Sequence, residues 1–327
     1  MEQKTLGRTG AQVSPLCLGC MNFGWGTSEE DSLPVLNRAL EAGIYFWDTA
    51  DVYGKGASEI IVGKALQGRR DEVFLASKGH GKMGDLQNNQ GNSRAHIIKA
   101  CEESLKRLNV DHIDLYQIHR PQSSVPIDET LRALDDLIRA GKIRYIGTST
   151  FAAYQLVESL WESEKLGLNR FVTEQPPYNL LDRRIERELL PFCAKYGFGV
   201  IPWSPLAGGM LTGKYQRDQS APEGSRYAEG KFRGGKEVNE ETWKVVEGVE
   251  QIAKDKGVPM DAFALAWVGA QKTISSPIIG PRNLQQLEDN LKALDVEISD
   301  EDNKRVDELI APGTFVAEYY SADFGSR

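Results

Sequence analysis

Four side chains that can hold or move a proton occupy comparable places along this sequence. Asp48 ends one short apolar run, and Tyr53 lies in the loop that follows it. Lys78 and His119 follow the next two apolar runs. A carboxylate, a phenol, an ammonium group and an imidazole are together sufficient for general acid–base chemistry. The spacing predicts that these four residues meet at one rim of the fold and pass a proton.

The phenol of Tyr53 is the natural proton donor in such a group. A tyrosine has a reference pKa of about 10 and donates poorly near neutrality on its own. A lysine ammonium beside it stabilises the phenolate, so Lys78 is expected to lower that pKa. Asp48 would hold the ammonium in place, and a neutral His119 would hydrogen-bond and orient the substrate oxygen. The expected chemistry is protonation of a carbonyl oxygen, complemented by hydride delivery to the carbonyl carbon, without a metal.

Each of these residues also has a structural interpretation. Asp48 could cap a helix, Lys78 could be a solvated strand end, and His119 could be a hydrogen-bonded core residue. Two other acids compete with Asp48. Asp51 could replace it as the partner of the lysine, and Asp114 lies within an apolar run where a buried carboxylate would need a partner.

The elements that must position these residues alternate between two patterns. Eight short β-prone runs are separated by segments with helical periodicity, among which 94–108, 185–196 and 240–256 are predicted helices. The runs are 16–19, 44–47, 73–76, 113–118, 143–147, 171–173, 200–203 and 274–279. Such alternation favours parallel strands joined by right-handed crossovers. Because no G-x-G-x-x-G sequence follows the first run, the sequence predicts an α/β fold that closes as a (β/α)8 TIM barrel rather than an open sheet.

Several additions to the barrel are expected, within one domain spanning residues 1–327. Residues 4–14 form a hairpin pattern that would cover one end of the barrel. A long Gly-rich loop, 205–238, follows the seventh strand. An extra C-terminal helix, 300–310, precedes an aromatic-rich tail. In such barrels the functional groups lie at the C-terminal ends of the strands, where the four proton-handling residues would converge.

Composition excludes some classes of partner. The net charge of −8 disfavours a nucleic-acid or anionic-membrane surface. Of the four cysteines, Cys17 and Cys20 form one C-x-x-C, but nothing completes a metal site. Because the start of the chain is polar and no long apolar run occurs, we expect a cytoplasmic location and no membrane partner. In that compartment the thiols are expected to be reduced. The oligomeric state cannot be read from the sequence.

Four motifs together resemble the aldo-keto reductase superfamily, most strongly the branch with bacterial reductases and potassium-channel β subunits. They are Asp48-Thr49-Ala50 with Tyr53-Gly54, Ser77-Lys78, the segment from Tyr116 to Pro121, and the segment from Gly141 to Gly147. The resemblance runs from Leu6 to about Leu294. It implies a TIM barrel with NADPH extended across its rim, Tyr53 as acid, Lys78 and Asp48 as its tuners, and His119 as the substrate-orienting residue.

The resemblance also implies a set of cofactor contacts. Ser149, Thr150 and Gln175 match the positions that hold the nicotinamide carboxamide, although Thr150 stands where the family has asparagine. Trp203 matches the aromatic residue that stacks on the nicotinamide. Met21 and Asp48 are further expected contacts. The expected pyrophosphate loop consists of Ser204, Pro205, Leu206, Ala207, Gly208 and Lys214, with Arg226 as a further phosphate contact. The expected adenosine-phosphate site consists of Gly280, Arg282, Gln286, Asp289 and Asn290. A helix N-terminus beside an arginine favours NADPH, with its extra phosphate, over NADH.

The substrate is a small carbonyl or alcohol compound on this interpretation. Phe23, Trp25, Tyr53, His80 and His119 are the expected substrate contacts. The polar loop 79–92 suggests a bulky or polyhydroxylated carbonyl compound. Two other functions remain open: an NADPH-binding regulatory subunit with little turnover, and a lyase that forms a Schiff base on Lys78. A protonated, Asp48-paired lysine argues against the lyase.

Overall fold

The chain begins with a short antiparallel hairpin that covers the bottom of a barrel. The structure is a computed structural model that describes residues 3–223, 225, 227–228 and 238–318. In the hairpin, β1 (Lys4–Thr5) pairs with β2 (Gln12–Val13). Leu6 beside them is fully buried. Gly7 has a φ of +57°, and a Cβ there would lie 2.5 Å from Gly199 N, so only glycine allows this close approach. The expected cover at one end is therefore confirmed.

Eight parallel strands form the central sheet in the described part of the chain. They are β3 (Cys17–Gly19), β4 (Phe46–Asp48), β5 (Phe74–Gly79), β6 (Ile113–Ile118), β7 (Ile143–Ser149), β8 (Thr173–Gln175), β9 (Gly199–Val200) and β10 (Ile278–Ile279). From β3 to β9 each strand pairs with the next along the chain, and β10 pairs with β3. Hydrogen bonds from Ser275 N to Val200 O (2.8 Å) and from Ile278 N to Pro202 O (2.9 Å) join the last two segments. The predicted (β/α)8 barrel is confirmed.

Helices connect the strands and surround the sheet. They are α1 (Glu29–Glu41), α2 (Ala57–Ala65), α3 (Arg94–Leu108), α4 (Ile127–Arg139), α5 (Ala153–Leu166), α6 (Leu189–Tyr196), α7 (Glu240–Lys256), α8 (Met260–Ala270), α9 (Leu284–Leu291) and α10 (Asp300–Leu309). The extra C-terminal helix was predicted, and Ser299 caps it by accepting from Asp302 N. The predicted helix 185–196 is instead a 3₁₀ turn, Arg184–Glu186, followed by α6. Pro191 has no N–H with which to extend α6 towards that turn.

Strand boundaries differ from the predicted ones in a way that matters for the site. β5 continues through Lys78 to Gly79, and β7 continues to Ser149. The apolar pattern ends before these strands do, because polar side chains occupy their last positions. By contrast, the eighth strand is shorter than expected and contains only Ile278–Ile279, since Pro277 before it lacks a donor for the sheet.

The long loop after β9 contains a 3₁₀ segment, Ala207–Thr212. The predicted phosphate contact Arg226 and the tail from Tyr319 onward lie outside the described residues. Within the described residues, no helix combines the length and apolar character needed to span a membrane.

Candidate active site

Lys78 is the centre of a buried polar cluster at the top of the barrel. Its Nζ donates to Asp48 Oδ1 at 2.5 Å, to Thr49 O at 2.9 Å and to the Tyr53 hydroxyl at 3.0 Å. The side chains of Lys78 and Asp48 are 0% and 3% exposed. These contacts use the three N–H groups of the ammonium, so the lysine is fixed in one position between the carboxylate and the phenol.

Neighbouring strands supply the rest of this cluster. The second oxygen of Asp48 accepts from Gln117 Nε2 at 2.9 Å and from Gln175 Nε2 at 3.0 Å. Asp48, Lys78, Gln117 and Gln175 lie near the C-terminal ends of β4, β5, β6 and β8, so parallel pairing brings them to one level. Gln117 belongs to a motif recognised in the sequence, but only the structure shows that it helps to hold Asp48.

Tyr53 reaches the lysine from the loop between β4 and α2. The backbone N–H of Tyr53 donates to Ala50 O at 3.2 Å, and a tight turn follows the tyrosine. Gly54 in that turn has a φ of +56°, and a Cβ there would lie 3.2 Å from Gly24 O. A glycine therefore permits the turn that directs Tyr53 back over the barrel.

His119 lies directly after β6 and faces Tyr53. The two rings make an edge-to-face contact with their centroids 5.6 Å apart. Burial lowers the pKa of His119 well below its ordinary value, and the cations of Lys78 and Arg120 act in the same direction. The imidazole is therefore neutral at physiological pH and can donate one hydrogen bond without carrying charge.

The pKa of Tyr53 differs from the expectation. Burial raises it above the ordinary value, even though Lys78 acts to lower it, so the expected net decrease is wrong. The phenol is therefore fully protonated at neutral pH. Burial also acts to lower the pKa of Lys78, but Asp48 and Tyr53 outweigh that effect and raise it, so the ammonium stays charged.

The two competing acids have other places in the structure. Asp114 accepts from Arg70 Nη2 at 2.7 Å, from Arg144 Nη1 at 2.8 Å and from Leu75 N at 2.9 Å, so its partners are structural. Asp51 is buried, and its own N–H donates to Lys78 O, but the three N–H groups of the Lys78 ammonium go to other acceptors. Burial and the nearby Glu59 raise the pKa of Asp51 to about 7. Asp48, not Asp51, is the carboxylate paired with the lysine.

A cleft of about 610 Å³ opens beside Tyr53 and His119. Its size falls in the range typical of small-molecule sites. Most residues expected to contact the cofactor line it: Met21, Asp48, Ser149, Gln175, Trp203, Ser204, Pro205, Leu206, Gly208, Lys214, Gly280, Arg282, Gln286, Asp289 and Asn290. Thr150 and Ala207 are almost fully buried next to lining residues. One continuous cleft thus runs from Tyr53 and His119 to the start of α9.

The backbone beside this cleft is strained at three places. Thr150, Ser204 and Ala207 have φ values of 61°, 56° and 52°. Residues with a Cβ rarely adopt this left-handed backbone conformation, and each such residue costs about 1–3 kcal/mol. Two of these residues adjoin lining positions and Ser204 is one, so part of the backbone strain of the molecule lies beside the cleft.

The expected substrate contacts are only partly brought together. Tyr53 and His119 line the cleft, but Phe23 is fully buried in the core, so it has no surface to offer a substrate. Trp25 is 64% exposed and borders a separate surface depression with Ile60. His80 hydrogen-bonds Asn92 at 2.8 Å beside the site rather than lining the cleft. The alternation of polar and apolar residues in the loop after β3 could not distinguish these directions.

Other lining residues had no role in the sequence interpretation. Asn22 and Arg120 line the cleft, as do Val52, Gly209, Thr212 and Asp261. Arg120 was visible only as part of a motif next to His119. Within the described residues, no group of His, Cys, Asp or Glu is arranged to hold a metal, and all four cysteines are buried free thiols.

Comparison with known proteins gives the ancestry of this site. A model of the aldo/keto reductase family matches residues 15–311. This chain belongs to the aldo/keto reductase family. It is 38% identical to the uncharacterized oxidoreductase YrpG of Bacillus subtilis (strain 168), over 98% of this chain and 100% of that protein. The resemblance expected from the motifs is confirmed.

Two further relatives show the range of the similarity. A probable voltage-gated potassium channel subunit beta of Oryza sativa subsp. japonica is 37% identical over 90% of this chain and 92% of its own length. The versiconal hemiacetal acetate reductase of Aspergillus parasiticus is 33% identical over 95% and 98%. The protein is therefore an oxidoreductase of a family that uses nicotinamide cofactors.

Proposed function

We propose that this aldo/keto reductase uses NADPH to reduce aldehydes or ketones, with Tyr53 as the proton donor. The main support is a single contact, the 3.0 Å hydrogen bond between the Tyr53 hydroxyl and Lys78 Nζ. It places a protonated phenol beside a fixed cation at the mouth of the cleft. The reverse reaction, oxidation of an alcohol, follows from the same geometry.

NADPH would supply the hydride when bound, and the side chains of this chain handle the proton. Tyr53 donates its proton to the carbonyl oxygen as negative charge develops there. Lys78 remains protonated and stabilises the resulting phenolate at 3.0 Å. Asp48 keeps the lysine charged and in place, so the negative charge left on Tyr53 meets an ammonium that need not reorganise.

His119 orients the carbonyl group in this proposal. Its ring lies edge-to-face with Tyr53, so one substrate oxygen can contact both residues. The imidazole is neutral because its pKa lies well below the ordinary value, so it has no imidazolium proton to give and acts towards the substrate only as a hydrogen-bond donor.

The preference for NADPH rests on the far end of the cleft. Arg282 and Gln286 line it at the start of α9. The backbone N–H of Arg282 donates to Gln286 Oε1 at 2.9 Å, which leaves the guanidinium out of this contact. A guanidinium beside the free N–H groups of a helix start favours a phosphate over a ribose hydroxyl. We therefore expect NADPH to bind more tightly than NADH.

The direct test follows NADPH absorbance with a panel of carbonyl compounds, and NADH serves as the comparison. The panel includes small aldehydes, aromatic aldehydes, ketones and polyhydroxylated carbonyl compounds. Oxidation of NADPH with at least one class is the expected result, and the polar loop 79–92 favours the bulky or polyhydroxylated ones. Tighter binding of NADH would contradict the cofactor preference.

A second candidate function is a regulatory subunit that binds NADPH and turns it over slowly. It is favoured by the similarity to the rice protein named as a probable channel subunit beta. The Tyr53, Lys78 and His119 geometry argues for turnover instead. NADPH binding without oxidation by any member of the panel would favour the regulatory function.

A further inference from the structure

Arg120 places a guanidinium group beside the residues expected to hold the nicotinamide carboxamide. Its side chain lines the cleft directly after His119. Nη1 donates to His119 O at 2.7 Å and also lies 3.4 Å from Ser149 Oγ and 3.5 Å from Thr150 Oγ1. Hydrogen bonds as long as the last two are weak. A stronger acceptor at this point in the cleft would therefore replace the two hydroxyls as the hydrogen-bond partner of Arg120 Nη1.

The hydroxyl hydrogens of Ser149 and Thr150 are already used in hydrogen bonds to backbone oxygens. Ser149 Oγ donates to Gln175 O at 2.9 Å, and Thr150 Oγ1 donates to Ser149 O at 2.6 Å. A hydroxyl has only one hydrogen. Towards a ligand in the cleft, these two side chains can therefore act only as acceptors.

The side-chain amide of Gln175 is committed in the same way. Its Nε2 donates to Asp48 Oδ2 at 3.0 Å and to Gln117 Oε1 at 3.1 Å, which uses both of its hydrogens. The contact with a carboxylate fixes which end of the amide carries nitrogen, because a carboxylate must accept. Gln175 thus has only its oxygen left to offer a ligand.

A primary carboxamide needs both kinds of partner, since its NH₂ donates and its oxygen accepts. Ser149, Thr150 and Gln175 can satisfy the NH₂ but not the oxygen. We infer that Arg120 supplies the missing donor, hydrogen-bonds the carboxamide oxygen of NADPH and so fixes the orientation of the nicotinamide. The inference rests on the proposed use of NADPH.

The backbone of Arg120 is anchored for this role. Asn92 Nδ2 donates to Arg120 O at 2.9 Å, and Asn92 Oδ1 lies 2.8 Å from His80 Nδ1. Through Asn92, the loop after β5 holds the loop after β6 in place. His80, an expected substrate contact, takes part in this support instead.

The test measures binding rather than turnover, with reduced cofactors so that the ring carries no charge. Wild type and Arg120→Met are titrated with NADPH, its thionicotinamide analogue and its 3-acetylpyridine analogue. The thionicotinamide replaces the carboxamide oxygen by the weak acceptor sulfur, whereas acetylpyridine keeps an oxygen and loses the NH₂. Loss of a charge-assisted hydrogen bond should weaken binding of NADPH and the acetylpyridine analogue by about tenfold or more. The thionicotinamide analogue should be affected much less.

Controls separate this role from a general disturbance. Arg120→Lys, which keeps a charged donor, should recover part of the affinity. Arg132→Met removes a half-exposed arginine on α4 and should change none of the three affinities. Equal weakening of all three cofactors in Arg120→Met, or no weakening, would overturn the inference. So would a change confined to the KM of the carbonyl substrate, which would assign Arg120 to the substrate. Failure of the wild type to bind NADPH would refute the proposed function itself.

Discussion

Asp48 and Asp114 are both buried carboxylates, on β4 and β6 of the same barrel, yet their surroundings differ. Asp114 is enclosed by Arg70, Arg144 and a backbone N–H, so its contacts end within the protein. Asp48 is paired with Lys78, which passes the interaction on to the hydroxyl of Tyr53 at the cleft. Both clusters balance a buried charge, but only the Asp48–Lys78 pair connects to a group that a substrate in the cleft can touch.

The comparison shows why burial of charge alone does not identify an active site. Removing a cation from either cluster breaks a buried ion pair, which costs about 3–5 kcal/mol when no other cation compensates the carboxylate. The distinguishing feature is the third member, a titratable phenol that is partly exposed to the cleft. Substitutions in the two clusters should therefore separate stability from turnover.

The largest effect is expected at Lys78. Lys78→Met should lower turnover by roughly 10³-fold or more, because the phenolate of Tyr53 loses its cation. It should also lower the free energy of unfolding by about 3–5 kcal/mol, since Asp48 is left unpaired. Steady-state kinetics and urea unfolding measure the two effects.

The double variant Asp48→Asn with Lys78→Met distinguishes the two roles of the lysine. Removing both charges should restore much of the stability but none of the turnover. Recovery of turnover in the double variant would show that the lysine acts only as a structural counter-ion.

The matched change in the other cluster is Arg70→Met. It should lower the free energy of unfolding by about 3 kcal/mol, at the low end of the range for buried pairs, because Arg144 still compensates Asp114. Turnover and NADPH affinity of the folded protein should stay at wild-type levels. A selective loss of turnover would mean that the Asp114 cluster also serves the reaction.

Glu174 is a third kind of buried acid, and its effect should be the smallest. Burial raises its pKa to about 8, although Thr148 and the Phe151 N–H act in the opposite direction. The folded state therefore holds a proton that the unfolded state releases above the ordinary pKa of 4.5. This contribution to stability is complete below that value and is lost as pH rises towards 8.

Glu174→Gln imitates the protonated acid and tests this assignment. Between pH 5.5 and 7.5, the wild type should lose up to about 1.4 kcal/mol per pH unit from this group, and the variant should lack that component. Urea unfolding across this range measures the slope. An unchanged slope would show that Glu174 is ionised in the folded protein.

The sequence predicted much of this arrangement because local signals agree with the fold. The bounds of α3 and α7 were predicted to the residue, since Ser93 and Asn239 cap their starts and left-handed residues, Asn109 and Gly257, follow their ends. The position of Lys78 near the end of a strand also followed, because the apolar run before it is short and clear.

Other features depend on three-dimensional balances that a sequence does not contain. The net pKa shift of Tyr53 is set by burial against the nearby lysine, and only the packed structure shows that burial prevails. Phe23 and Trp25 belong to one loop, but the first enters the core and the second faces solvent. The role of Gln117 requires the register of β5 and β6, which pairs it with Lys78.

The most direct test of the proposed chemistry is single-turnover oxidation of NADPH by Tyr53→Phe, measured together with NADPH affinity. The change removes one hydroxyl and keeps the ring beside His119. We expect hydride transfer to slow by roughly 10²–10⁴-fold while NADPH affinity stays at the wild-type level. Hydride transfer at the wild-type rate would contradict the assignment of Tyr53 as the proton donor.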